Sequence, residues 1–487
     1  MFGGETITPY VTLKYGLTQD FFEAFQSLTY CGIEIPLVLM RSYHKLIEPA
    51  VVTWSSQTQH VRKRHVYPTR SFEALQKVLD RSPTPVSHAA SPSRRKSVLL
   101  PGRLAFLAVR SLSRHRVILS VSNMYDLKGI REVRLPAHFR VWHLRSAMKQ
   151  VRVPASHFDR YRKLALQLLA DQQHHPLFQQ DFFRKWLLQQ LPGAMKLVRT
   201  TDHFLRRSSV RVILDYDTTV VPGEVWSLLS KKYQLPYVYL QYHMPMIYPL
   251  FPFRADYYCM WGKHYREWLE RHGVPAARIR EIGSIRLEGT TRGKWMNKKE
   301  LCARLDIPAH HLVIAFGGRT DTRSNERFLR WMVNASTDLP ITIVYKPHPK
   351  HPHPYDHIIG HYAHARLFPA DLHLNHLLSG MDMLATFHST TGVEAALFRK
   401  SLISLHVKPH DDYYDHCSMF ARAKAGSIVH SAEELRTLLH ALVHDEQRRA
   451  QQQAATRAFL ADMIRLPGSP AKRVNVLVSH LISGKLP

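Results

Sequence analysis

The stretch from Ile341 to His357, ITIVYKPHPKHPHPYDH, joins a short apolar run to side chains that could hold an ion. The apolar run is typical of a buried β-strand, and Lys346 follows it directly. Four prolines and four histidines come next, the histidines being His348, His351, His353 and His357. Imidazole is the commonest metal ligand in proteins, so this loop could be a metal site. It could equally hold an anion, such as the phosphate of a nucleotide.

Hydroxyl groups are concentrated at a second predicted strand end, in the segment His388–Ser389–Thr390–Thr391–Gly392. A helix that starts here would offer unpaired backbone N–H groups and its dipole to an anion, and the hydroxyls would add donors. Gly392 would let a ligand approach the backbone closely. Glu394 could accept hydrogen bonds from ribose hydroxyls. The same residues also fit an ordinary helix N-cap, because Ser and Thr are usual capping residues.

A third predicted strand end carries Gly317, Gly318, Arg319 and Thr320. In open parallel sheets, ligands bind beyond the carboxyl ends of the strands. We therefore expect the three strand ends to belong to one binding site, and their combination favours an anion ligand over three unrelated local features.

Strand-like and helix-like segments alternate along the second half of the chain and predict which elements position these groups. VRVILDYD, LPYVYLQYH and ADYYCMWG are predicted strands, and KHYREWLERHG is a predicted helix with Gly273 at its C-cap. After the polar segment EGTTRGKWMNKKE the pattern restarts, with HLVIAFGGR, ITIVYKPHP, MDMLATFHSTTG and SLISLHV as strands. Such alternation indicates parallel sheets with crossover helices. The sequence therefore predicts two α/β units joined near residues 285–300.

The first part of the chain shows less regular patterns. DFFEAFQSL is a predicted helix and EPAVVTWSS a predicted strand. The Ser-, Pro- and Arg-rich segment RSPTPVSHAASPSRRKS is expected to be a flexible linker or loop. The expected boundaries are residues 1–80 for the N-terminal part of the first domain, 81–97 for the linker, 98–290 for the first Rossmann-like domain, 291–465 for the second, and 466–487 for a C-terminal helix.

The composition is that of a folded globular protein with a large basic excess. The 487 residues carry a formal net charge of +29, and 45% of them are hydrophobic. This charge favours polyanionic partners, but no RNP-type strand, C2H2 spacing or basic heptad region supports nucleic acid as the partner. Four widely spaced cysteines suit a reducing compartment. No signal peptide or bilayer-spanning run is recognised, so the expected location is the cytoplasm, including the inner face of the membrane.

Several short motifs occur in an order that resembles a known family. YKPHP is followed further along by FHSTTGVEAALFRKSLISL. Upstream lie Gln241 and His243, then Trp261–Gly262, Gly273–Val274–Pro275 and Gly283–Ser284–Ile285–Arg286. This order resembles the GT-B transferases that build bacterial surface polymers, in particular the capsule polysaccharide and CDP-glycerol glycerophosphotransferase-type families. The resemblance covers roughly residues 210–428. It departs from the family pattern where a "QHG" glycine is replaced by Met244 and the "G-N-P-R" asparagine and proline by Ser284 and Ile285.

The resemblance implies a GT-B-like α/β fold, in which two Rossmann-like domains face a cleft and the C-terminal helix packs back. It further implies that the domain of residues 291–465 holds the phosphate and ribose of a nucleotide-activated donor without a bound metal or other cofactor. The implied donor-binding residues are Gly317, Gly318, Arg319, Lys346, His348, Pro349, His388, Ser389, Thr390, Thr391, Gly392 and Glu394. His348 would also act in catalysis, on the leaving phosphate.

Such a transferase needs a general base on the acceptor side, in the first domain. The candidates are Asp215, Asp217, Glu224 and His243, of which Asp217 and His243 are the preferred catalytic residues. An aspartate after a strand is also a common turn-capping residue, and His243 could equally be a packed core residue. The segment KPHDDYYDH, Lys408 to His416, is either a further ligand contact or a charged surface turn.

The function predicted on these grounds is a metal-independent glycosyltransferase of the cell envelope. It would use a nucleotide-activated donor, with cytidine favoured, and a surface polysaccharide or lipid-linked acceptor, and the basic surface would contact an anionic polymer or membrane. Three alternatives stay open: glycerol phosphate transfer of the teichoic-acid type, an isomerase like UDP-N-acetylglucosamine 2-epimerase, and a non-catalytic binding module.

Overall fold

The structure is a computed structural model that describes residues 8–57, 71–86, 96–244, 251–318, 322–348, 355–387, 389–406 and 424–484. The chain forms two compact units. Unit 1 consists of Met1–Met260, Arg266–Ile285 and Gly468–Pro487, and unit 2 of Trp261–Tyr265 and Arg286–Pro467.

Fifteen strands form three sheets in the described residues. They are β1 (Thr29–Tyr30), β2 (Ile33–Glu34), β3 (Ser97–Pro101), β4 (Arg116–Val121), β5 (Arg140–His143), β6 (Val210–Asp215), β7 (Tyr237–Leu240), β8 (Tyr257–Met260), β9 (Ile279–Glu281), β10 (Leu312–Gly317), β11 (Ile341–Lys346), β12 (Ala365–Leu367), β13 (Met383–Thr386), β14 (Ser401–Leu405) and β15 (Gly426–Val429).

The helices alternate with these strands. They are α1 (Pro9–Ala24), α2 (Ile35–Ser55), α3 (Phe72–Leu79), α4 (Ala105–Ser111), α5 (Met124–Arg131), α6 (Leu144–Gln150), α7 (Ala155–Asp171), α8 (Asp181–Arg207), α9 (Gly223–Lys232), α10 (Lys263–Arg271), α11 (Lys298–Leu305), α12 (Thr322–Ala335), α13 (Asp356–Ile359), α14 (Leu374–Gly380), α15 (Thr390–Leu397), α16 (Ala432–His444), α17 (Glu446–Met463) and α18 (Pro470–Ser483). Single 3₁₀ turns occur at Gly102–Leu104, Ala276–Arg278 and Thr290–Arg292.

The core of unit 1 is a seven-stranded parallel sheet with the strand order β5-β4-β3-β6-β7-β8-β9. Its central strands are buried on both faces, as the apolar runs VLLP and VILD require. The last helix, α18, returns to this unit and adds Val474, Leu477, Val478 and Leu481 to the core. The predicted C-terminal helix that packs back on the fold is therefore confirmed.

Unit 2 contains a six-stranded parallel sheet with the order β12-β11-β10-β13-β14-β15. Helices α12 and α16 cover it, and the leucines that repeat at helical spacing in α16 all lie in the core: Leu435, Leu438, Leu439 and Leu442. Two parallel-sheet units with crossover helices confirm the predicted α/β class.

One predicted element of the N-terminal region is wrong. EPAVVTWSS was expected to form a strand because of its β-branched residues, yet it forms the last turns of α2. Ile47 and Val51, four residues apart, are both fully buried on one face of this helix, and α2 packs along α1. Burial of a helical apolar face outweighs the weak intrinsic preference of valine and threonine for strands.

In the described ranges, none of the helices has the length and apolar character that crossing a bilayer requires. The long helices α2 and α8 are amphipathic, with buried and exposed faces.

Candidate functional site

The three strand ends that the sequence singles out are neighbours in the sheet of unit 2. β10 lies between β11 and β13, with Gly317 opposite Lys346 and Phe316 opposite Ala385. The chain builds β11 and β12 on one side of β10 and then returns to build β13 on the other. The boundary between β10 and β13 is thus a topological switch point, where the crossover helices diverge and open a crevice at the carboxyl ends of the strands.

The backbone joins the β10 and β11 ends directly, because Gly318 N donates to Lys346 O at 2.8 Å. The Lys346 side chain is half-buried, and burial lowers the pKa of its ammonium group. Its Nζ donates to Pro347 O at 3.3 Å. His348 is half-buried two residues further on. A cation and an imidazole therefore sit beside the Gly317–Gly318 turn, a suitable arrangement for a bound anion.

Ser389 is the N-cap of α15, directly after β13. Its Oγ accepts from Thr391 N at 3.3 Å and donates to the Thr391 hydroxyl at 3.0 Å. The ordinary capping interpretation is therefore correct for Ser389. Gly392 N also donates to Ser389 O at 2.9 Å, and the anion-binding role of this helix start stays a prediction. Thr390 and Thr391 are half-buried, and Gly392 is buried.

The two glycines after β10 have different environments. A Cβ atom at Gly317 would meet no atom within 4 Å, whereas one at Gly318 would lie 2.6 Å from the Tyr345 hydroxyl oxygen. Tyr345 is buried and packs in an aromatic layer with Phe316, the two rings tilted by 34° at 5.9 Å between centroids. Gly318 is thus required by packing over this layer, and Gly317 leaves open space at the sheet edge.

Glu394 lies in the second turn of α15 and is buried, with 7% of its surface exposed. Its carboxylate forms an ion pair with Arg286, whose side chain is 25% exposed. The prediction that Glu394 accepts hydrogen bonds from a ribose is not tested by this arrangement. The pairing does give Glu394 a structural partner that the sequence did not indicate.

Several predicted residues lie outside the described part of the chain. These are Arg319, Thr320, Pro349, His351, His353, His388 and the segment Lys408 to His416. Within the described residues, no group of three or more His, Cys, Asp or Glu side chains has the arrangement of a metal site. The structure does not test the prediction of a metal site in the histidine loop, because two of its four histidines are among the residues not described.

In unit 1, carboxyl groups collect at the end of β6, beside the β3–β6 switch point. Asp215 and Glu224 are buried, with 3% and 0% exposure, and the Asp217 side chain is 17% exposed. Gly223 brings them together, since a Cβ atom there would overlap the Asp217 carbonyl oxygen and lie 3.1 Å from Asp215 Oδ2. This close approach of backbone to carboxyl requires a glycine.

Burial raises the pKa of each of these three carboxyl groups. Burial, followed by the nearby Asp217 charge, raises the pKa of Asp215 well above its usual range, and burial does the same for Glu224. Burial raises the pKa of Asp217 to about 6, against the hydrogen bonds that its Oδ1 accepts from Thr219 N and Val220 N. Asp217 is thus a turn-capping residue whose pKa lies near neutral pH, and its role as a general base stays a prediction.

His243 follows β7 and is exposed, with its ring against the edge of Tyr242 at 4.8 Å between centroids. Nearby, the Arg103 guanidinium lies over the rings of three tyrosines, Tyr125, Tyr216 and Tyr242, at 4.7, 5.5 and 5.1 Å. His243 is therefore accessible and belongs to the same strand-end edge of unit 1. The alternative prediction, that His243 is a packed core residue, is wrong because the residue is exposed.

Sequence reasoning missed Arg41, Lys45 and Arg103. Arg41 Nη1 lies 4.0 Å from Asp217 Oδ2. Arg41 and Lys45 are one helical turn apart on α2. Their common position on one helix was not predicted, because the segment EPAVVTWSS was expected to be a strand and not the end of α2. Arg103 follows a strand, β3, and the rule on strand ends could have identified it.

No protein-family model matches the sequence, and no curated protein matches it. Solved structures to which the chain is similar include Anabaena HepE in complex with UDP and glucose, at 13% identity over 80% of this chain and 100% of that chain, TM-score 0.44. A variant of the wall teichoic acid polymerase TagF matches at 12% identity over 85% and 93%, TM-score 0.43. UDP-GlcNAc 2-epimerase from Methanocaldococcus jannaschii matches at 13% over 79% and 99%, TM-score 0.46. Similarities of this degree assign neither a family nor a substrate to this chain.

Proposed function

We propose that this protein is a metal-independent glycosyltransferase that binds a nucleotide-activated donor in unit 2 and its acceptor in unit 1. The observation that carries the proposal is the meeting of the β11, β10 and β13 ends at the switch point of the unit 2 sheet. Three segments that are distant in sequence supply a lysine, a histidine, a glycine turn and a hydroxyl-rich helix start to one edge. This combination of groups suits a nucleotide phosphate.

On the donor side, the leaving nucleotide gains negative charge on its phosphate as the glycosyl bond breaks. Lys346 would act as a point charge, His348 as a hydrogen-bond donor or acid, and Ser389 and Thr390 with the α15 amides as further donors. These groups stabilise the product charge more than the ground state, which is what lowers the barrier.

On the acceptor side, Asp217 is the proposed general base. The acceptor hydroxyl transfers its proton to the Asp217 carboxylate as its oxygen attacks the anomeric carbon, and the bond from that carbon to the phosphate oxygen breaks. Its pKa of about 6 leaves Asp217 ionised at neutral pH yet basic enough to assist. His243 is the second candidate, since it is exposed at the same sheet edge.

The proposed acceptor is a surface polysaccharide or its lipid-linked precursor, and the proposed location is the cytoplasmic face of the cell envelope. The net charge of +29 supports this, because a strongly basic protein concentrates at anionic polymers and anionic leaflets. Cytidine is the proposed activating nucleotide, on the resemblance of the YKPHP and HSTTG motifs.

The test is a calorimetric and thermal-shift panel of CMP, CDP, UDP, GDP and ADP, with and without EDTA. It uses the wild type, His348→Ala, and His361→Ala as the control, an exposed histidine of the same unit. We expect CMP or CDP to bind with EDTA present, and binding to fall in His348→Ala but not in His361→Ala. Binding to none of the nucleotides by the wild type would refute the proposal.

Glycerol phosphate transfer would use the same donor groups, and the product formed from a CDP-glycerol donor separates it from sugar transfer. An epimerase is a second candidate function, favoured by the group of Asp215, Asp217 and Glu224, since acid–base chemistry on a sugar ring needs several carboxyls. Conversion of a UDP-sugar into its epimer, with the sugar–UDP bond intact in the product and without any acceptor, would identify it. A chain that binds acceptors but no nucleotide would be the non-catalytic module.

A further inference from the structure

Unit 1 contains a cavity of about 410 Å³ that involves none of the site residues predicted from the sequence except Glu224. Its walls come from α2, from α8 and from the turn between β6 and α9. Its volume is in the range of small-molecule sites, roughly 300–1,000 Å³. Most of the lining comes from the two helices α2 and α8, whose role the sequence does not indicate.

The cavity has two kinds of lining. Apolar side chains of both helices, including Leu39 and Leu197, form one part. Polar groups form the other, namely Arg41, Ser42 and Lys45 from α2, Gln190 from α8, and Glu224. A site with an apolar wall and a few converging polar groups is typical of a specific ligand pocket rather than of a packing defect.

Glu224 is the observation that points to a ligand. The residue is fully buried, it lines the cavity, and neither carboxyl oxygen has a hydrogen-bond partner among the described residues. Burial raises the pKa of Glu224, against the charges of the buried Arg254 and of Arg41, and in either protonation state its carboxyl can accept from a hydroxyl group. A buried polar group without a partner is costly, and a hydroxyl-bearing ligand would satisfy it.

The cations define the charge of that ligand. Arg41 and Lys45 lie one helical turn apart on the cavity side of α2, and Lys45 is exposed. Arg41 Nη1 is also 4.0 Å from Asp217 Oδ2, which connects the cavity with the proposed general base. Ser42 Oγ accepts from Trp186 Nε1 at 3.1 Å, which leaves its proton for a ligand oxygen.

We propose that this cavity binds an anionic glycosyl unit, a sugar ring that carries a carboxylate or a phosphate. The ring contacts the apolar wall, its hydroxyls bond to Ser42, Gln190 and Glu224, and its anionic group pairs with Arg41 and Lys45. The identification of this sugar as the end of the acceptor rests on the proposed function, since only that function makes Asp217 the base. The inference that the cavity binds an anionic sugar does not depend on the proposed function.

Gly193 of α8 provides a way to fill the cavity. It lines the space, and a Cβ atom there would meet nothing within 4 Å. Gly193→Trp should therefore occupy the cavity, whereas Gly193→Ala adds one methyl group and strengthens the helix, so it serves as the folding control. Lys45→Gln removes one cation, and Lys185→Gln removes an exposed cation of α8 that does not line the cavity.

The experiment is ligand-observed NMR with methyl β-D-glucuronide, glucose 6-phosphate and neutral methyl β-D-glucoside, without any nucleotide. We expect the two anionic sugars to bind at least tenfold more tightly than the neutral one. Binding should be abolished by Gly193→Trp, weakened fivefold or more by Lys45→Gln, and unchanged in Gly193→Ala and Lys185→Gln. Circular dichroism of each variant checks that it is folded.

Three results would overturn the inference: equal binding of neutral and anionic sugars, unaltered binding in a folded Gly193→Trp variant, or binding to phosphatidylglycerol vesicles alone. The last would assign the cations to a lipid headgroup. Failure of the proposed function would give a different pattern of results. The nucleotide panel would be negative, while the anionic sugars would still bind to the wild type and would not bind to the Gly193→Trp variant.

Discussion

Units 1 and 2 use the same sheet plan but place opposite chemistry at the strand ends. In each, the chain starts on an interior strand, adds two strands on one side and then returns to extend the other, so switch points fall between β3 and β6 and between β10 and β13. At the unit 2 switch point lie Lys346, His348 and the hydroxyls of Ser389 and Thr390. At the unit 1 switch point lie three carboxyl groups with raised pKa values.

This difference shows that the parallel sheet sets where a site can form, whereas the residues in the first positions after each strand set what it binds. In the proposed function, the basic and hydroxyl groups of unit 2 bind the anionic part of the donor, and the carboxyls of unit 1 act on the hydroxyl of the acceptor. Variants at the strand ends and buried glutamates of each unit test this division.

Asp217→Asn should lower kcat by about 10²- to 10⁴-fold, the usual contribution of a general base. The asparagine oxygen can still accept the bonds from Thr219 N and Val220 N, so the turn should persist. The nucleotide Kd of unit 2 should not change. Steady-state kinetics with the donor found in the nucleotide panel, with Asp171→Asn as an exposed control on α7, measures the effect. Equal losses in both variants would remove Asp217 from the mechanism.

Two buried glutamates, one in each unit, should respond differently. Arg286→Met leaves the Glu394 carboxylate buried without its partner and should lower the free energy of unfolding by about 3 kcal/mol. Glu224→Gln replaces a buried carboxyl that has no hydrogen-bond partner among the described residues by an amide of similar shape, and should change it by less than about 1 kcal/mol. Urea denaturation of the full chain measures both. A large loss in Glu224→Gln would mean that its carboxyl is ionised and paired.

Two strand-end glycines should likewise differ. Gly223→Ala forces a Cβ atom onto the Asp217 carbonyl oxygen and should cost about 1–3 kcal/mol of stability. Gly317→Ala places its Cβ in open space and should change stability by less than about 0.5 kcal/mol. Thermal unfolding distinguishes them. If Gly317→Ala is as stable as expected but binds nucleotide more weakly, the open space beside Lys346 is part of the donor site.

Ser389→Ala should lower stability by about 1 kcal/mol through loss of the α15 cap. Ser431→Ala removes the corresponding cap of α16 and should cost a similar amount. Only Ser389→Ala should also weaken nucleotide binding, by about 5- to 10-fold for one lost hydrogen bond. Calorimetry on the pair separates capping from binding, and equal nucleotide affinities would restrict Ser389 to its capping role.

The wild-type activity should rise with pH through an inflection near 6 and then level off. The reason is the sign of the titration: burial raises the pKa of Asp217 to about 6, and the carboxylate that accepts the proton exists above that value. The profile of kcat/KM between pH 5 and 8 measures this, and Asp217→Asn should lack the inflection. An inflection that survives in the variant would point to His243 instead.

The sequence predicted unit 2 well because its signals are local. Apolar runs that end in Gly317, Lys346 and Thr386 gave strands with the expected ends, and the Ser389 cap was recognised from its residue type directly after a strand. The N-terminal region was harder. Glu48–Ser56 contains β-branched residues, but its conformation depends on packing against α1, a contact that no local pattern records.

Local sequence signals were enough to predict the α/β class, the parallel character of the sheets and the residues that follow the strands, because periodicity and capping act over a few residues. Tertiary structure alone decided that the β11, β10 and β13 ends are adjacent and that Gly223 brings Asp215, Asp217 and Glu224 together. It also decided that α2 and α8 enclose a cavity. These outcomes depend on strand order and burial, and both the raised pKa values and the unpartnered Glu224 follow from contacts between segments far apart in the chain.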